Sequence, residues 1–174
     1  MKLLLSKINL FDSSRVSKLF SAEIENIHRL YATLSKNGVF EKSHPSGPCL
    51  PGIMRPFVDV DGRLFPCERV SEESAAMQIG HINTGFDIKK VENMLNVGQL
   101  TADECKECWC FLHCTLCVAA CDGGDELSGK ERLKHCNMVE NSIMETLFSI
   151  CLLGENGYDL KTQIAKTKGR FINK

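Results

Sequence analysis

Apolar residues recur at helical spacing towards both ends of the chain, and turns, short alternating runs and cysteines occupy the middle. From Ser13 to Lys36, Val16, Leu19, Phe20, Ile24, Ile27, Tyr31 and Leu34 return every three or four positions. That period predicts an amphipathic helix with its stripe facing a core. Asp12 or Ser13 suits its start and Asn37-Gly38 its stop. His28 falls on this helix and takes no assigned role. Glu41 to Gly52 is rich in Ser, Pro and Gly and reads as a linker or loop.

Between Phe57 and Cys67, two β-prone runs flank Asp61-Gly62, the pair favoured by a type I′ turn, which predicts a hairpin. Asp59 and Asp61 suggest a calcium loop, but the position where that loop needs a Glu is Val70, so calcium is rejected. Ile79 to Gly85 reads as a short strand and turn, in which His81 is a surface or packing residue. Asp87 to Asn96 predicts a short helix, and Thr101-Ala102-Asp103-Glu104 has the character of a capping box. Met138 to Leu153 predicts a second long helix, carrying Val139, Ile143, Met144, Leu147, Phe148, Ile150 and Cys151, the last as a small buried hydrophobe. The tail from Lys161 to Lys174 is basic and reads as a solvated helix or frayed end.

The chain has 174 residues, a net charge of −1 and a pI near 6.5, which exclude nucleic-acid binding by bulk basicity. No apolar run approaches the roughly 20 residues that span a bilayer. Met1-Lys2-Leu3-Leu4-Leu5 is too brief for a secretory signal, so a cytoplasmic location is expected. Composition is otherwise ordinary except for its 10 cysteines. They stand at 49, 67, 105, 108, 110, 114, 117, 121, 136 and 151. Disulfide scaffolds belong to small secreted chains that cannot build a core, and this chain has apolar stripes at both ends. Cys105/Cys108 and Cys114/Cys117 are CxxC pairs, which reach a shared metal or cluster more readily than each other. A metal site is expected.

One pattern is more specific. Cys49, twelve residues, Gly62, four residues and Cys67 are followed by Cys105, Cys108 and Cys114 at CxxC and five-residue spacing. Cys117 or Cys121 comes next, and Cys136 closes the set. This resembles the SPASM domain, the auxiliary-cluster module at the C-terminal end of radical S-adenosylmethionine peptide maturases. Gly47-Pro48-Cys49-Leu50-Pro51-Gly52, Pro66-Cys67-Glu68-Arg69 and Cys105-Lys106-Glu107-Cys108-Trp109 are similar to the thioether-forming, cysteine-rich-peptide branch. The resemblance implies two [4Fe–4S] clusters. One would take Cys105, Cys108, Cys114 and Cys136; the other Cys49, Cys67 and one or both of Cys117 and Cys121. The step from Cys114 to Cys117 is one residue shorter than the family pattern, which leaves that corner open between Cys117 and Cys121.

Cys110, Cys114 and Cys117 also spell CxxxCxxC, the signature of the catalytic cluster in radical S-adenosylmethionine enzymes. That signature belongs in the partial barrel of about two hundred residues on which these enzymes are built. Here helix and tail follow it, and no glycine-rich stretch is available for the cofactor's methionine moiety. Cys110 is therefore expected to be unligated, and the chain is not expected to cleave S-adenosylmethionine alone; that cofactor would enter only through a partner or missing barrel.

The expected fold is a small, irregular α+β domain: a β-hairpin, cysteine-rich cluster-binding loops and short helices, flanked by an N-terminal and a C-terminal helix. Residues 1–46 would be helix and linker, 47–137 the SPASM-like iron–sulfur domain, and 138–174 the C-terminal helix and tail. The expected function is an auxiliary iron–sulfur module in peptide maturation. A radical S-adenosylmethionine barrel and a cysteine-rich precursor peptide are its implied partners, with no nucleic acid and no membrane. The rival is a structural zinc module for protein binding.

Overall fold

The computed structural model describes residues 25–31, 45, 49–53 and 55–161. The start of the N-terminal helix, most of the 41–48 loop and the basic tail beyond Lys161 lie outside those residues. Two compact units emerge: Val39–Glu140, which carries every cysteine but Cys151, and Met1–Gly38 with Asn141–Lys174. The architecture is small α+β, as the sequence predicts.

The cysteine-bearing unit is built on a four-stranded antiparallel sheet in chain order, β1 (Phe57–Val58), β2 (Arg63–Phe65), β3 (Gly80–His81) and β4 (Gly85–Phe86). The first hairpin forms with Phe57 opposite Phe65 and Val58 opposite Leu64. Its connection is longer than the expected two-residue turn. Four residues, 59–62, separate the strands, and Gly62 N–H donates to the Asp59 carbonyl at 3.1 Å. Asp59 explains the difference: its carboxylate accepts from Asp61 N–H (3.0 Å) and Arg63 N–H (2.9 Å), which draws the chain around its own side chain. Gly62 alone then takes the left-handed conformation, φ 84°. His81 ties the two hairpins together. Its Nδ1 accepts from Asn83 N–H at 3.1 Å, so Nε2 carries the proton and donates to the Asp61 carbonyl at 2.9 Å.

Helix α1 (Ile88–Leu95) starts where the sequence predicts, with Asp87 accepting from Lys90 N–H. Its Met94, with Val97 beyond it, joins Phe65, Met77, Ile79, Val118 and Cys121 in the core of this unit. Lys90 Nζ donates to the carbonyls of Ala75 (2.7 Å) and Gln78 (3.1 Å), fastening α1 to the segment that enters β3. Helices α2 (Ala102–Lys106) and α3 (Gly129–Leu133) are short, and α4 (Cys136–Glu155) is long. The expected capping box at Thr101 is not made: its hydroxyl gives no cap bond and lies 3.3 Å from Cys105 Sγ instead.

In the helical unit, residues 25–31 are helical, and Ile27 packs with Ile150, Leu153, Tyr158 and Leu160. Cys151, expected to be buried, is exposed. One step along a helix rotates a side chain by about 100°, so it falls off the stripe that buries Ile150 and Leu153. His28 stacks on Tyr158 and its Nε2 lies 3.2 Å from the tyrosine Oη. Burial lowers the His28 pKa below its ordinary 6.5, against a smaller opposing pull from Glu25. The unfolded chain therefore binds the proton more readily, and folded stability declines as pH falls below about 6.5. Thermal melts of the wild type and of His28→Gln between pH 8 and pH 5 check this; the variant should lose less on acidification, and an equal loss in both counts against it. Among the described residues, no helix is long and apolar enough to cross a membrane.

Candidate metal centre

From Cys105 to His113 the backbone advances by short turns. Cys108 N–H donates to Cys105 C=O, Phe111 N–H to Cys108 C=O, and His113 N–H to Cys110 C=O, at 2.8–3.1 Å. These turns keep Cys105, Cys108 and Cys110 close together. Cys114 follows in extended backbone, φ −61° and ψ 132°, and Cys136 begins α4. Together Cys105, Cys108, Cys110, Cys114 and Cys136 line one small cavity, with Glu140 one helical turn beyond Cys136. All four thiols assigned to the first cluster thus lie on it. Cys110 lies there too, 3% exposed, with its Sγ 3.4 Å from that of Cys108. The sulfurs of Cys108 and Cys110 and a carboxylate oxygen of Glu140 all fall within 4.8 Å of one another.

The cavity favours the neutral thiol while no metal compensates its charge. Burial pushes Cys110 up to about 12, assisted by the hydrogen bond and charge of Cys108 and then by Cys114 and Glu140. Cys136 is raised by burial first, then by the neighbouring charges of Cys105, Cys114, Cys108 and Glu140. Thiols in such a place ionise only against a cation, and a metal supplies one.

Cys49, Cys117 and Cys67 are electrostatic neighbours elsewhere in the unit. Burial raises Cys49 to about 11, and the nearby charges of Cys117 and then Cys67 add to it. These three come from the segment before β1, the end of the first hairpin and the turn before the 3₁₀ helix Val118–Cys121. Cys121 is fully buried. The 3₁₀ helix moves it off the face that an α-turn would give, because there residues eclipse at three apart rather than four. Its thiol is raised by burial and drawn back by Arg132, with Cys117 and Cys105 as charged neighbours. Cys121, packed in the core with Phe65 and Met77, therefore feels the charges of both sets of thiols.

The donor chemistry fits iron–sulfur clusters: four soft thiols line the first cavity, and three thiols with Cys121 beside them make the second group. The room is less generous. About 20 Å³ is open in the first cavity, space for a single water or ion, so a cubane would need the turns to part. Cys110, expected to be unligated, nevertheless lines the cavity, and its proximity follows from the turn that closes on Cys108. Glu140 was legible as the residue four places after Cys136, on the same helix face. Nothing in the pattern pointed to Arg132, which is buried beside the thiols. No family model, curated protein or solved structure matches this chain.

Proposed function

We propose that the chain is an iron–sulfur-binding module that holds two [4Fe–4S] clusters and serves peptide maturation as an auxiliary to a separate radical-generating barrel. The observation that carries this reading is the division of the cysteines. Segments far apart in sequence bring Cys105, Cys108, Cys110, Cys114 and Cys136 to one cavity, while Cys49 has Cys117 and Cys67 as charged neighbours elsewhere, and this supports the ligand sets implied by the SPASM-like spacing. Cys105, Cys108, Cys114 and Cys136 would hold one cluster. Cys49, Cys67 and Cys117, completed by Cys121 or left with one open iron, would hold the other. When bound, such clusters supply one-electron transfer or an iron site for a substrate thiolate. The chain's own residues gather the sulfurs, exclude water from them and release their protons on loading. The Thr101 hydroxyl is placed to donate to the Cys105 sulfur once that sulfur is a thiolate.

A second reading is structural zinc. The close grouping of Cys108, Cys110 and Glu140 and the single-ion size of the cavity favour it. Anaerobic reconstitution with iron and sulfide, followed by metal and sulfide analysis, separates the two. About eight irons per chain and a brown protein are expected. Stoichiometric zinc with negligible iron would end the cluster reading.

A further inference from the structure

Arg132 is 1% exposed, the least exposed charged side chain among the described residues. It stands in α3, which Ser128 caps by accepting from Glu131 N–H. Its Nη2 donates to the Leu116 carbonyl at 3.2 Å, whereas Nη1 is buried and has no hydrogen-bond partner. Among the described residues no carboxylate lies within ion-pair distance of it, and the ion pairs of this unit sit on other side chains. A buried guanidinium cannot shed its charge as a lysine can, so it requires an anion. The cavity that Arg132 lines holds Cys105, Cys108, Cys110, Cys114 and Cys136, and the guanidinium also interacts with Cys121.

We infer that Arg132 is the buried counter-cation of the metal–thiolate centres, its free Nη1–H directed to a ligand sulfur once the thiols are ionised. Four thiolates around a divalent ion, or around a [4Fe–4S] core of charge 2+, leave a net charge of about −2. One fixed positive charge between the two groups offsets part of it at both. The inference rests on the metal–thiolate reading above, though not on which metal is held. Arg132 acts through the ligands, and is a positioning and charge-balancing residue.

The same geometry sets apart a merely structural role. If Arg132 serves only as a strut for Leu116, removing it weakens the fold whether or not metal is present. If it is a counter-cation, the metal-free protein carries an uncompensated buried charge, and an apolar replacement of similar length relieves it. The experiment compares wild type, Arg132→Met and Arg132→Lys as reduced, full-length chains under anaerobic conditions. Thermal midpoints are read without metal, and Co²⁺ is titrated using the thiolate-to-cobalt charge-transfer band. R132M is expected to melt at or above the wild-type temperature without metal, yet to bind Co²⁺ about ten-fold or more weakly. R132K, which keeps the charge, should recover much of that affinity.

In iron-loaded protein of equal cluster content, R132M should have a more negative midpoint potential, since the buried charge favours the reduced cluster. An R132M chain less stable than wild type without metal, or failing to fold, overturns the inference, as does unchanged Co²⁺ affinity in both variants. Failure of the cluster reading looks different: the wild type takes up no iron and sulfide, while the Co²⁺ comparison still decides the role of Arg132.

Discussion

Cys114→Ala protein, reconstituted anaerobically, is expected to hold about four irons where the wild type holds about eight, and Cys67→Ala protein is expected to lose the complementary four. Cys114 lines the cavity with Cys105, Cys108 and Cys136, while Cys67 stands with Cys49 and Cys117. Because no thiol of the first four is needed by the second group, each substitution should empty one centre and spare the other. Combining the two should leave almost no iron. Cys151→Ala, at an exposed position in the helical unit, is the control that should lose nothing. Iron and sulfide per chain, with spectra of the reduced clusters, provide the measurement. If either single variant loses all of its iron, or if both lose the same centre, the division into two ligand sets is wrong.

The largest effect on folding is expected from Gly80→Ala. Gly80 has φ 155°, and a Cβ there would lie 2.3 Å from the Gly85 carbonyl oxygen and 2.9 Å from Phe86 Cα, both backbone atoms of the paired strand. Neither can move without parting β3 from β4, whose register sets Gly80 opposite Phe86. Backbone strain and overlap together should cost roughly 3 kcal/mol or more, a large share of the typical stability of a small domain. Gly85→Ala makes the comparison. Its φ is 80°, but a Cβ there meets nothing within 4 Å, so only the backbone term of about 1 kcal/mol applies. Denaturant midpoints of the two variants should therefore differ clearly. Equal losses would mean that the close approach of the two strands is not as described.

Local signals in the sequence led to local structure. Asp87 and Asn96 bracket α1 because capping is decided by side chains next to the helix end. Ile79 to Gly85 was legible as a short strand and turn, though not the returning strand Gly85–Phe86 that makes it a hairpin. The first hairpin was legible as a hairpin but not in its loop, because the Asp61-Gly62 preference competes with the Asp59 carboxylate, which captures two backbone N–H groups. At Thr101 the capping signal was outweighed by a neighbour one helical turn away, Cys105. Cys151 shows how a one-residue error on a helix changes core into surface.

In the candidate site, spacing marked the thiols, since soft ligands in close pairs are a chemical signature carried by residue type. It missed the groups whose importance is set by burial alone. Arg132 is an ordinary surface residue type until the fold closes over it, and Cys110 is brought to Cys108 by a turn that has no distinctive sequence.

The hydrogen bonds between Cys105 and His113 each span only three residues, and Ala120 N–H reaches back no further than Cys117. A ladder of that kind opens one rung at a time, unlike a sheet, where losing a strand exposes its neighbour. Short-range turns of this kind belong to the low-stability end of a fold, so the Cys105–His113 turns are expected to open before the packing of Phe65, Met77 and Ile79 is lost, which amide hydrogen exchange would show. On the proposed reading, loading would start from a folded chain, with the small cavity widened as these turns part.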